Sequence, residues 1–250
     1  MSEQPMKEPV RDPAIFLRDI RRSTRTPIVT MVVVAINVAL FAIEVATHKL
    51  ALWSPTPTEL IQLGANTSLL SFADEPWRLW TSMFLHVGLL HIVFNMLVLW
   101  QSGPLVERIF GSAPFVVLYG VAGLGGAMIS ASTQPHVVSA GASGAIFGLF
   151  GGLGGYLLRY RAELPREIVR GFGAMVLQFV AYNVAIGFLL PFVDMGAHLG
   201  GLGVGVLAGL LLATPPTREG VSMRPKRAAL AGAVLSVALC AAWIALRTGL

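Results

Sequence analysis

The chain has 250 residues, 55% of them hydrophobic and only 12% charged, with a formal charge of +5 and a mean hydropathy of +0.71. A soluble domain carries about 25% charged residues, so these values exclude one and point to an all-α polytopic membrane protein. The single cysteine, Cys240, excludes an internal disulfide and a cysteine metal cluster.

Residues 1–26 read as a basic cytosolic tail whose arginines can lie on an anionic membrane surface. The tail lacks the short apolar core and small-residue cleavage site of a removable signal, so the first span is expected to be retained. A helical span needs roughly 20 mostly apolar residues. Seven segments qualify: Pro27 to Ala46, Val87 to Gly103, Ala113 to Thr133, Ser143 to Tyr160, Ile168 to Pro191, Gly196 to Thr214 and Arg227 to Arg247. The second and fourth are short, as expected of helix ends that face a cavity instead of lipid. Glu44, the lone carboxylate of the first span, lies near its outer end and is expected to reach the interface. Residues 47–86 form the longest connection. Leu60, Leu69, Phe72, Trp77, Trp80 and Phe84 stud it, which predicts an element lying in the interface. Pro215 to Lys226 reads as a basic linker, so residues 215–250 are a linker plus a seventh helix appended to a six-helix core over 27–214.

With seven spans, fifteen of the 18 basic residues fall on one side; Lys49, Arg78 and Arg247 fall opposite. The positive-inside rule then puts the N-terminus in the cytosol and the C-terminus outside. The basic charge is a topology signal, and no nucleic-acid partner is implied. The compact tail without a targeting peptide favours a bacterial inner membrane over an organelle.

Small residues mark where membrane helices approach closely. Gly144, Gly148 and Gly152 recur every four residues in the fourth span, and Gly201, Gly205 and Gly209 do so in the sixth. His198 precedes Gly201 by three and Gly205 by seven, so it shares their helix face. Packing stripe on stripe would bring it to Ser143, and a serine beside a histidine is the minimal kit of a serine hydrolase. His91 and Asn95, four apart on the second span, are hydrogen-bond donors of the kind an oxyanion needs. His86 can support that group or the loop. A metal site is the alternative for these histidines, but no carboxylate sits at ligand spacing, and no metal or other cofactor is implied.

In this order and spacing the residues resemble the rhomboid intramembrane serine proteases. The resemblance rests on Gly141-Ala142-Ser143-Gly144, on Ala197-His198-Leu199-Gly200-Gly201 with Gly205, and on His86, His91 and Asn95. Trp77-Arg78 in the first loop and Glu107 through Gly111 support it. It implies a six-helix core with one extra C-terminal helix, and Ser143 as nucleophile with His198 as general base. It further implies an oxyanion hole of His91, Asn95 and the Ser143 N–H, with Gly141 letting the backbone turn closely there. The implied substrates are single-pass membrane proteins entering near Phe172 to Gly196. Two positions depart from the family pattern. Phe147 stands where some members have a tyrosine stacked beneath the base, and Met195 stands where asparagine is frequent.

Each residue also has a plainer reading. Ser143 could cap a helix, His198 could be a packed polar residue, and His91 with Asn95 could be interhelical glue. Asp194, four before His198, could orient it or cap the sixth span. At the level of function, the rivals are a catalytically silent rhomboid-like escort of membrane proteins and a transporter using Glu44 and the histidines as a proton path. The escort is disfavoured because both Ser143 and His198 are kept. The transporter is disfavoured because neither paired mid-membrane charges nor inverted repeats are present.

Overall fold

The computed structural model describes residues 12–23, 26–48, 51–190, 193–215 and 218–248. Lys7, Arg11, Arg25, Lys49 and Pro191 of the preceding reading lie outside them. The described residues form eleven helices, and the only bridge of β type joins Asn66 to Ser139.

Helix α1 (Pro13–Ser23) belongs to the stretch expected to be a simple tail. Asp12 Oδ1 accepts the Ala14 N–H at 2.7 Å, starting the helix. Phe16 and Ile20, one turn apart, are buried in the main core, while Arg18, Arg21 and Arg22 stay exposed. The tail is thereby docked onto the bundle through its apolar side.

Helix α2 (Ile28–His48) looks uniformly apolar, yet Thr30, Asn37 and Glu44, seven residues apart, are all buried. A seven-residue spacing keeps all three on one face. The Glu107 carboxylate satisfies the start of this helix, accepting the N–H groups of Val29 (3.1 Å) and Thr30 (2.8 Å) and the Thr30 hydroxyl (2.7 Å). An anion at a helix N-terminus meets both its orphan donors and its dipole. Glu44 does not reach the interface as expected: it is 7% exposed because its face is the one turned to the core.

The long outer connection is folded into three short helices, α3 (Pro57–Gln62), α4 (Ser68–Phe72) and α5 (Arg78–Thr81). Thr56 and Glu59 close a capping box on α3. Arg78 staples the connection: its guanidinium donates to Glu75 (2.6 Å) and to the carbonyls of Ile61 (2.6 Å) and Ala65 (3.2 Å). Trp53, Trp77 and Trp80 remain about half exposed or more, as an interfacial element requires.

Helices α6 (Leu89–Phe110) and α7 (Ser112–Thr133) follow, then α8 (Ser143–Tyr160), α9 (Arg166–Leu189), α10 (Met195–Leu212) and α11 (Arg218–Thr248). The second span is therefore not short. α6 continues through Pro104, a residue expected to end it, to reach Glu107 beneath α2. The expected linker is shorter than read, since α11 already begins at Arg218 and runs through Pro225.

Six of these helices, α2, α6, α7, α9, α10 and α11, are long and apolar enough to cross a membrane. The chain is an all-α, multi-pass integral membrane protein. α8 falls short on apolarity, diluted by its glycines and Arg159, but it is the most enclosed helix, packed against α6, α7, α9 and α10. α9 lies at the margin with Ile168 as its sole buried residue.

Candidate active site

Two helix N-termini converge here. α8 begins at Ser143, and the residue before it, Ala142, makes no side-chain cap bond. α10 begins at Met195 under a cap from Asp194, whose Oδ1 accepts the Ala197 N–H at 2.8 Å. Asp194 Oδ2 accepts the Ser130 hydroxyl at 2.6 Å, and Gln134 Oε1 accepts the Gly196 N–H at 3.1 Å. The start of α10 is thus pinned to the end of α7.

Glycine-to-backbone packing sets the distance between α8 and α10. A Cβ added at Gly201, Gly205 or Gly209 would strike the carbonyl oxygen of Gly144, Gly148 or Gly152 respectively. At this separation His198 Nε2 stands 2.8 Å from Ser143 Oγ. The Phe147 ring stacks on the His198 ring, with centroids 4.3 Å apart and planes 14° off parallel.

Should Nε2 accept the serine proton's hydrogen bond, the imidazole proton sits on Nδ1, which is buried with no hydrogen-bond partner among the described residues. Asp194 is committed to its cap and to Ser130. The pair therefore stands without a carboxylate, its ring held by stacking and by the helix start.

His91 and Asn95 lie on one face of α6, as their spacing requires. His91 Nδ1 accepts the Val87 N–H at 3.2 Å, which leaves the ring proton on Nε2. That edge faces Gly141: a Cβ there would lie 2.6 Å from His91 Cε1 and 3.0 Å from Nε2. Gly141 has φ +134°, and its N–H donates to Ser82 O at 2.8 Å, so only glycine suits the turn before Ser143. Asn95 Nδ2 donates to the His91 carbonyl at 3.0 Å, leaving one amide hydrogen uncommitted by that bond.

His86 is fully buried, with Nδ1 3.3 Å from Phe84 O and its ring edge-on to His91 at 5.4 Å. Burial, reinforced by the neighbouring His91, pushes its pKa down to about 3, so it is neutral. Among the described residues no three metal-ligating side chains gather. Met195 lies against Gly187 of α9.

Residues not anticipated from sequence complete the surroundings. Phe179 of α9 stacks on Phe150 at 3.7 Å and tilts against Phe147 at 4.8 Å, so the marginal helix touches the ring beneath His198. Ser130, Gln134, Ser82 and Asn66 pin the two helix starts. Their signal is long-range pairing, which local periodicity does not carry.

The sequence profile of the Rhomboid domain matches residues 73–215, which include every group just described except Asn66. The chain is 39% identical over 161 residues to Rhomboid protease GluP of Bacillus subtilis, covering 64% of this chain and 31% of that protein. It is 36% identical over 167 residues to RHOMBOID-like protein 6, mitochondrial, of Arabidopsis thaliana, covering 65% and 52%. A third relative, YdcA of B. subtilis, is 33% identical over 186 residues, covering 74% and 88%. The chain spans about a third of GluP and about half of the plant protein.

Proposed function

The chain belongs to the rhomboid family, and from that membership and the geometry above we propose that it is an intramembrane serine endopeptidase acting on single-pass membrane proteins. The observation that carries this is the 2.8 Å approach of His198 Nε2 to Ser143 Oγ, between two helix starts inside an apolar bundle.

His198 Nε2 takes the Ser143 hydroxyl proton as Oγ bonds to the scissile carbonyl carbon. The carbonyl oxygen gathers negative charge and is met by His91 Nε2–H, the second Asn95 amide hydrogen and the Ser143 N–H. His198 returns its proton to the leaving amine as the C–N bond breaks, giving an acyl-enzyme. A water then loses its proton to His198, attacks the ester, and frees the acid and Ser143. Phe147 keeps the imidazole plane fixed through both transfers.

In this reading α8 is a crossing sheathed by its neighbours, giving a six-helix core over residues 27–214, a basic tail before it and α11 as a seventh helix. The N-terminus is cytosolic, and the pair opens to the outer face of a bacterial inner membrane. Substrates approach beside α9, the least buried helix.

The test is cleavage of a single-pass reporter by the full chain in liposomes. Ser143→Ala should abolish cleavage with the thermal midpoint retained, and cleavage by that variant would overturn the proposal. Labelling by a fluorophosphonate, lost in Ser143→Ala, separates the protease from a silent escort of membrane proteins.

A further inference from the structure

The C-terminal helix reaches toward the nucleophile through a chain of hydrogen bonds that the catalytic reading does not use. Trp243 Nε1 of α11 donates to the Ser71 carbonyl in α4 at 3.1 Å. The Ser71 hydroxyl donates to Asn66 Oδ1 at 2.7 Å, and Asn66 Nδ2 donates to the Ala127 carbonyl of α7 at 2.8 Å. Asn66, fully buried, then exchanges two backbone bonds of 2.9 Å with Ser139. Ser139 lies four residues before Ser143, and Gly141 between them is tied to Ser82.

Packing runs along the same line. The Trp243 ring and Leu239 rest on the small cluster of Leu79, Ala127 and Met128, whose Ala127 carbonyl is the one Asn66 holds. Arg247 covers the Trp243 ring at 5.2 Å and lies 3.5 Å from Asp74. At the opposite end of α11, Arg224 donates to the Ile109 carbonyl and Arg227 to the Ala213 carbonyl, each at 2.7 Å. These are the last carbonyls of α6 and the end of α10, groups with no helical partner of their own. The seventh helix is therefore fastened at both ends, and its outer fastening is continuous with the turn that presents Ser143.

We propose that Trp243 is a positioning residue for the nucleophile, acting through Ser71 and Asn66 on the Ser139–Gly141 turn. This rests on the reading of Ser143 as nucleophile. The helix appended to the catalytic core is in that sense part of the site's support, and loosening its outer end slackens the turn without touching substrate.

The test uses the full chain in liposomes with Trp243→Phe, which keeps the ring packing and removes the N–H donor, and with Ser71→Ala, which breaks the next bond. Fluorophosphonate inactivation and reporter kcat should fall about three- to ten-fold, the scale of one hydrogen bond, with KM unchanged. Amide exchange at Ser139 and Gly141 should quicken. A clamp of structural importance alone would lower the thermal midpoint and leave kcat, measured well below it, unmoved. Unchanged exchange at Ser139 and Gly141 overturns the proposal, as does faster exchange with unaltered kcat. If the wild-type chain takes no fluorophosphonate, the protease reading fails, and exchange at those two amides still decides whether Trp243 holds the turn.

Discussion

Gly205→Ala adds one methyl group seven residues from His198, and the structure makes it a severe change. The new Cβ would lie 2.6 Å from Gly148 Cα and 2.8 Å from its carbonyl carbon, besides striking the carbonyl oxygen. Ordinary contact begins at 3.4 Å, so α10 must withdraw from α8 by about 0.8 Å. No rotamer relieves this, because both partners are backbone. Overpacking of this kind costs about 1–3 kcal/mol. If the withdrawal carries to the helix starts, the Ser143–His198 separation grows from 2.8 Å to about 3.6 Å, past hydrogen-bond length. A misplacement near 1 Å costs about 10²-fold in rate. The assay pairs thermal unfolding in detergent with the second-order rate of fluorophosphonate inactivation. Gly203→Ala is the control on the same helix, since a Cβ there meets nothing within 4 Å. It should be neutral or stabilise by up to about 1 kcal/mol. Wild-type unfolding and labelling in Gly205→Ala, or equal damage in both variants, would refute the reasoning.

Asn95→Ala should lower reporter kcat by about 10²–10³ if its free amide hydrogen meets the oxyanion; an unchanged kcat would return Asn95 to the role of helix glue. Glu107→Gln places an NH₂ group where the α2 N–H donors now find a carboxylate oxygen. It should destabilise the fold by about 1–3 kcal/mol while leaving the fluorophosphonate rate of the folded fraction unaltered, both read from labelling across a thermal melt. The depressed pKa of His86 adds a pH dependence: the unfolded chain takes up a proton as pH falls below about 6.5 and the folded chain resists until about 3. Stability should therefore drop from pH 7 to pH 5, and drop less in His86→Gln, as thermal midpoints at the two pH values will show.

What was legible in the sequence follows from what is local. The glycine spacing in α8 and α10 shares a face with Ser143 and His198, so a period of four residues was enough to place two distant helices in register. Glu107 is different. Its role depends on Thr30, 77 residues away, and nothing in the apolar run around Thr30 announces that its N-terminus needs a carboxylate. The same long-range pairing carried α6 past Pro104. The heptad of Thr30, Asn37 and Glu44 was present in the sequence, but three polar residues spread over two turns each do not disturb an apolar average. The arginines of α11 read as topology because their charge is visible and their partners, carbonyls at the ends of α6 and α10, are not.

The glycines that leave α8 short of the apolarity of a lipid-facing span are the same ones that bring it against α10. A helix facing lipid needs large apolar side chains, whereas a helix enclosed by protein can give them up for close backbone approach. α8 has taken the second course. Its enclosure means that a hydroxyl and an imidazole at its head meet each other and an aromatic ring, with hydrocarbon kept behind the surrounding helices. That is the setting in which a neutral histidine without a carboxylate can still serve as a base: the proton has one short path, the imidazolium that forms rests on the Phe147 face, and the opposing charge develops on an oxygen only a few ångströms away. Removing the stack with Phe147→Leu would take away that support while sparing the serine contact, so the same fold that hides the pair from lipid is what lets two residues suffice.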